Sequence, residues 1–298
     1  MPPGWTALAD LPAGVAKFGV AETGGKLVVT GGYDTSRSVF IYDIAGNTWA
    51  AGPNLPRGTD NTAALASGGK VYTLGGEAST ALQVYDPAAN SWTLGPNLPS
   101  GRFASAAAAL NSRLYLIGGW NLSNAASASL ASVAAFDTDT NAWVNEALAA
   151  MPTARNAAAA GVINSLIHVV GGRSPGIRAS DQQSLGTHEV YNPATNSWQT
   201  AAALPTARGS IAAAVLNGKL YVIGGEATTA SGSTVSNAVE RYDPATNTWT
   251  VLDAMPYRAH GLGAVAVGNA IYVMGGFTGG SDAVGTESRA LYRFQPQN

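Results

Sequence analysis

Residues 205–249 read PTARGSIAAAVLNGKLYVIGGEATTASGSTVSNAVERYDPATNTW, and this one stretch decides the fold. After Pro205 comes a run of small and apolar residues, SIAAAVL, with strand character. Asn217-Gly218 is a two-residue hairpin signal. The following KLYVI is a second apolar strand, and it ends on the pair Gly224-Gly225. A third strand ends in Tyr242-Asp243. Pro244-Ala245-Thr246-Asn247 then makes a turn, because Pro presets φ and Asn hydrogen-bonds locally. A fourth strand starts near Trp249. The unit is therefore four antiparallel strands, a to d.

The unit recurs. Glycine pairs close apolar runs at Gly31, Gly75, Gly118, Gly171, Gly224 and Gly275. Each is preceded by Leu-Pro or Met-Pro, at Pro12, Pro56, Pro99, Pro152, Pro205 and Pro256, and the interval is 19 residues in all six cases. Five repeats continue to a tryptophan, at Trp49, Trp92, Trp143, Trp198 and Trp249, and the period runs from 43 to 53 residues. A period of this size with a double glycine, a spaced Tyr and a spaced Trp resembles the Kelch repeat, over essentially the whole chain. Two departures leave the pattern intact: His168 stands where most repeats have Tyr, and Asn192 replaces the Asp after the tyrosine. The expected fold is all-β, a six-bladed β-propeller of four-stranded Kelch blades. Trp5 has no strands before it and the last repeat stops before any Trp. The N-terminal segment is thus expected to close the ring as the outer strand of blade 6. The chain is read as one domain, 1–298, with blades at about 8–50, 51–94, 95–145, 146–200, 201–251 and 252–298 plus 1–7.

Composition narrows the function. Charged residues make up 11% and the net charge is −2, so no global field attracts nucleic acid or an anionic membrane. The absence of Cys removes disulfides, thiolate metal sites and a Cys nucleophile. No apolar run approaches the ~20 residues of a membrane span. The small, Ala-rich composition points toward a bacterial protein, exported by a signal not contained in this chain.

Strand direction selects the candidate surface. Strand a starts and strand b ends on one face, which collects the d–a connections and the b–c loops. From glycine pair to Trp, blades 1 and 2 span 18 and 17 residues, whereas blades 3, 4 and 5 span 25, 27 and 25. The long loops are WNLSNAASASLAS, RSPGIRASDQQSLGTH, EATTASGSTVSN and FTGGSDAVGTES, and loops concentrate binding. The third residue after each proline is Val15, Thr59, Arg102, Arg155, Arg208 or Ala259. Three consecutive guanidiniums either line the mouth, where their planar forks suit carboxylates or phosphates, or belong to the repeat framework. Arg173, Arg258 and His260 are placed to extend such an arc, opposite Thr59 and Asp60. The residue after each glycine pair is Tyr33, Glu77, Trp120, Arg173, Glu226 or Phe277, and here the repeat stops repeating. In ligand-binding Kelch domains these two positions per blade line the recognition face, so the resemblance implies a ligand-binding set of Arg102, Arg155, Arg208, Tyr33, Glu77, Trp120, Arg173, Glu226 and Phe277.

Tests for catalysis find little. His168, His188 and His260 lack ligand spacing, so no metal is expected, and no cofactor. No Ser lies in a nucleophile elbow, and the glycine pairs follow strands rather than open helices, so they are not phosphate loops. The copper-radical oxidases built on Kelch propellers need a Cys, and the iron site of Kelch specifier proteins needs a spaced Glu, Asp and His run; neither is present. The leading expectation is a monomeric, non-enzymatic module binding a polar or anionic peptide, protein or glycan at the b–c loop face. One alternative is a sugar-acid mutarotase of the Kelch type with Glu77 or Glu226 as acid/base. Another is a structural scaffold within a larger protein.

Overall fold

The computed structural model describes residues 1–77, 79–121, 128–174, 182–229, 232–280 and 282–297. Among these residues there is no helix. Six four-stranded antiparallel sheets form the blades of a propeller. Their innermost strands are Gly19–Thr23, Ala63–Ser67, Ala106–Leu110, Ala159–Ile163, Ala212–Leu216 and Gly263–Val267. Alanine dominates these strands because they converge on the axis, around a channel of about 400 Å³. The core is divided into six apolar clusters, one in each seam between neighbouring blades.

The ring closes as the sequence implies. Strand Trp5–Ala7 pairs antiparallel with Leu291–Phe294 and completes blade 6. Trp5 is buried and stacks on Phe294 at 4.5 Å. Trp49 packs on Tyr42 at the matching cross-strand position, tilted by 44° with centroids 4.9 Å apart. The two differ at the indole nitrogen. Trp49 Nε1–H donates to Ala9 O at 2.8 Å, whereas the buried Trp5 Nε1 finds no acceptor among the described residues.

The glycine pairs clamp one blade to the next. Both glycines of every pair have positive φ. At Gly118 (φ +64) a Cβ would stand 2.5 Å from Arg155 O, so only glycine admits this approach. Gly119 N–H then donates to Arg155 O at 3.0 Å, and Gly276 N–H donates to Val15 O at 2.7 Å across the closing seam. A second ring lies inside the first. Lys17, Asn61, Ala104, Ala157, Ser210 and Gly261 all have positive φ. Each N–H donates to the carbonyl of its counterpart in the preceding blade, from Asn61 N to Lys17 O at 2.7 Å round to Lys17 N to Gly261 O at 2.7 Å. This cycle of six hydrogen bonds encircles the axis and forms the floor of the loop face.

Blade 4 holds an exception to the repeat. His168 and His188, far apart in sequence, meet with Nδ1···Nε2 at 2.9 Å, and His188 Nδ1 lies 3.1 Å from Ala202 O. A carbonyl only accepts, so His188 carries its proton on Nδ1, and its Nε2 accepts from His168 Nδ1–H. Both rings are neutral in this arrangement. Burial pushes each pKa down to about 4.

Candidate functional site: the loop face

The three repeated arginines do not reach the mouth. Arg155 and Arg208 are fully buried, 0% exposed. Arg155 Nη1 donates to Glu189 Oε2 at 2.5 Å and Nη2 to Val169 O at 3.1 Å. Arg208 is ion-paired with Glu240, and its Nε donates to Gly224 O at 2.7 Å. Thr153 and Thr206 hydroxyls donate to the other oxygen of the same carboxylates, at 2.8 and 2.9 Å. Arg102 lacks an acid and donates instead to Ser132 O and Ser132 Oγ, both at 3.0 Å. Of the two roles the sequence leaves open, the geometry gives these three side chains the framework one: each crosses strand b of its own blade. The arc of guanidiniums expected at the mouth is absent because desolvated charge inside a blade needs these partners. Arg258 likewise donates to Val235 O at 3.0 Å.

The residues after the glycine pairs do come together around the ring. Each is bonded to the fourth residue after the proline of its own blade, as in Trp120 N–H to Phe103 O at 2.8 Å and Glu226 N–H to Gly209 O at 2.9 Å. In blades 3, 4 and 5 these residues begin short hairpins, pairing Trp120–Asn121 with Ala128–Ser129, Arg173–Ser174 with Gln183–Ser184, and Glu226–Thr229 with Gly232–Val235. The long b–c loops of blades 3, 4 and 5 are thus hairpin walls at their bases. Residues 122–127, 175–181, 230–231 and 281 of these loops lie outside the described residues. Blades 1 and 2 carry no such hairpin among the described residues, so the mouth is walled on one side.

Three kinds of chemistry alternate around the rim. Blades 6 and 1 give an aromatic sector: Phe277, fully buried, meets the Tyr33 ring edge-on at 5.5 Å and His260 at 5.4 Å. Lys17 stands 5.7 Å over Tyr33 and is ion-paired to Asp282. Blade 3 adds Phe103 stacked on Trp120 at 6.1 Å. Blades 4 and 5 contribute a closed pair, Arg173 with Glu226, to which Ser210 Oγ adds a contact at 3.0 Å. Desolvation lowers the Arg173 pKa to about 10. Glu226 Oε2 is buried without a partner among the described residues, and His260 Nδ1 lies 3.7 Å from Glu226 Oε1. Blade 2 supplies Asp60 and the exposed Glu77. Burial chiefly, and then the Glu77 charge, raises the Asp60 pKa, while Lys17 opposes the shift. Glu77 and Glu226 sit on opposite blades, but Glu226 is engaged by Arg173. No group of three or more His, Cys, Asp or Glu residues suited to a metal ion occurs among the described residues. No helix there is long and apolar enough to cross a membrane.

Comparison with known proteins agrees with this geometry. Residues 61–276 match the KLHDC2/KLHL20/DRC7 Kelch-repeats domain, and residues 16–56 and 258–298 match the Kelch motif. The chain is 27% identical to Kelch-like protein terF of Aspergillus terreus over 98% of its own length and 55% of the relative's. It is 36% identical to alpha-scruin of Limulus polyphemus over 43% of this chain and 14% of that one. Human Kelch-like protein 28 is 40% identical over 33% of this chain and 18% of its own. The chain thus spans about half the length of the first of these relatives and under a fifth of the other two. Among solved structures, that of YjhT superposes with a TM-score of 0.80 at 15% identity, covering 95% of this chain and 96% of the other, a likeness of fold. The chain belongs to the Kelch-repeat family of β-propellers.

Proposed function

We propose that the propeller is a non-enzymatic interaction module that takes a segment of a protein partner on its loop face. One observation carries this reading: the side chains that break the repeat, Tyr33, Glu77, Trp120, Arg173, Glu226 and Phe277, gather around one hydrogen-bonded floor, while the framework beneath them repeats. Kelch-like relatives of this kind support an interaction role at the level of the fold. The ligand polarity we assign differs from an anionic one. The guanidiniums that would hold an anion are inside the blades. Among the described residues the carboxyls of Asp60 and Glu77 make no salt bridge, and blade 2 sets them between the Tyr33 and Trp120 aromatics of blades 1 and 3. A Lys or Arg side chain of a partner, with an apolar neighbour, matches that sector.

A sugar-acid isomerase draws less support, because Glu226 is held by Arg173 and Glu77 stands exposed on the opposite blade. The test is a peptide array probed with the native chain and with Glu77→Lys and Trp120→Ala. Enrichment of basic-aromatic sequences that is lost in both variants supports the proposal. Equal binding by all three proteins, or turnover of a sugar acid by the native chain, refutes it.

A further inference from the structure

Five of the six residues on the floor ring of the mouth are uncharged: Asn61, Ala104, Ala157, Ser210 and Gly261. The sixth is Lys17. The ring demands a positive φ, which suits Gly and Asn and which a lysine adopts at a cost, so the backbone gives no reason for Lys17 at φ +56. Its side chain does. The stem crosses the closing seam over Gly261 of blade 6, where a Cβ would stand 3.1 Å from Lys17 Cγ. The ammonium ends on the Asp282 carboxylate of the blade 6 b–c loop. The Tyr33 ring, itself braced edge-on by Phe277, lies 5.7 Å from it.

Asp282 acts on groups from several blades. Besides pairing with Lys17 of blade 1, its charge adds to burial and to Glu77 in raising the Asp60 pKa in blade 2. It also opposes the burial that lowers the Arg173 pKa in blade 4. A carboxylate felt in blades 1, 2 and 4 stands over the mouth, inward of the blade 6 rim. Its side chain is 40% exposed, whereas that of Lys17 is only 15% exposed. An aromatic face and carboxyls that hold an ammonium of the chain itself are the groups that would hold a partner's cation. The tethered ammonium reaches them first, because it loses no translational freedom in doing so.

We propose that Lys17 is a built-in competitor at the loop face: its ammonium occupies the subsite between Tyr33 and Asp282, and a partner's arginine enters by displacing it. This rests on the reading of the loop face as a site for a basic segment with an apolar neighbour. The exchange is cheap, because a partly exposed ion pair contributes little. It favours arginine over lysine, because a planar guanidinium stacks on Tyr33 and binds the Asp282 carboxylate bidentately, which the resident ammonium does not. The competitor also sets a threshold. An isolated cation displaces Lys17 poorly, whereas a cation whose aromatic neighbour packs on the stacked rings of Phe103 and Trp120 gains a second contact. Lys17 thereby makes the mouth select an arginine beside an aromatic residue rather than positive charge at large.

The experiment is an NMR titration of the full chain with acetyl-Ala-Arg-Phe-Ala-amide, and with the same peptide carrying Lys or Gln in place of Arg. Lys17→Asn installs the residue that blade 2 has at this position, Asn61, so the floor ring is kept. This variant should bind the Arg peptide about fivefold more tightly, the worth of one partly exposed ion pair. Its preference for Arg over Lys should narrow, and its affinity for the Gln peptide should not change. In the native chain the Lys17 ε-methylene resonance should shift along the binding curve of the Arg peptide, because the ammonium leaves the Tyr33 ring. Lys219→Gln, which removes a cation from the opposite face, should leave the affinity unchanged and so separates displacement from net charge. Equal affinity of the native chain and Lys17→Asn for the Arg peptide, an equal gain in Lys219→Gln, or a Lys17 resonance that stays fixed at saturation overturns the proposal and leaves the loop-face reading standing. Binding of the Arg peptide by neither the native chain nor Lys17→Asn overturns both.

Discussion

Acid should unfold this protein earlier than its carboxylates alone require, because of the His168–His188 pair. Both imidazoles have pKa values near 4, against an ordinary value near 6.5. Burial is the chief cause for each; the charge of His168 and that of Arg155 add to it at His188. Protonation of either ring leaves two N–H donors facing each other or facing an acceptor-poor wall of Tyr242 and Trp249, 4.6 and 5.7 Å from His188. The unfolded chain binds these protons from about pH 6.5 downward and the folded chain only near pH 4, so stability falls as pH drops through that window. A displacement of about 2.5 units is worth roughly 3.4 kcal/mol per imidazole at the acid limit, and about 2.5 kcal/mol by pH 4.5. The repeat itself supplies the control. The other blades have Tyr or Val at the position of His168, and Val or Leu at that of His188. His168→Tyr/His188→Val restores that pattern and leaves every acidic residue in place. Urea denaturation of both proteins at pH 7 and 4.5 isolates the imidazole contribution. The native chain should lose at least about 2.5 kcal/mol more than the double variant between these pH values. Identical losses would show that the pair is protonated in the folded state, and the tautomer argument would fail with it.

Three further outcomes follow from the framework. Arg155→Ala strands the buried Glu189 carboxylate and should cost about 3–5 kcal/mol in urea denaturation; a loss under 1 kcal/mol would mean that the pair is solvated. Gly118→Ala forces a Cβ to within 2.5 Å of Arg155 O at φ +64 and should lower stability well beyond the ~1 kcal/mol of an ordinary Gly→Ala change, whereas Gly218→Ala, with nothing within 4 Å of its Cβ, should carry only the cost of its positive φ. Trp5→Ala should cost about 3–5 kcal/mol by emptying the closing stack; an unchanged melting temperature would show that the ring holds without it.

The architecture was legible because each of its devices leaves a residue that nothing else replaces. A glycine pair whose Cβ atoms would collide with the next blade has to stay glycine, and the αL Asn of the c–d turn, accepting from Tyr42, Tyr85, Tyr191 and Tyr242 hydroxyls at 2.7–2.8 Å, has to stay Asn. Such positions recur in sequence at fixed spacing because they recur in space. Ring closure was legible for the complementary reason, an orphan Trp at one end and a missing one at the other. Hairpins in blades 3 to 5 were not, since two to four pairs of polar residues carry no period that exceeds the noise of a loop.

The arginines show where the sequence held more than position alone conveys. Pro-Thr-Ala-Arg occurs at blades 4 and 5, and these blades have Glu two residues before the strand-c tyrosine, Glu189 before Tyr191 and Glu240 before Tyr242. Blade 3 has Pro-Ser-Gly-Arg with Ala134 at the acid's position, and its Arg102 turns to Ser100 and Ser132. In blade 2, where Thr59 replaces the arginine, the same strand-c position is Gln83, which exchanges hydrogen bonds with the Arg57 backbone at 2.8 and 3.0 Å. Donor and acceptor therefore change together from blade to blade. A residue bound by an outside ligand has no reason to co-vary with a neighbour in its own sheet, whereas a buried charge must, because leaving it unpaired is costly.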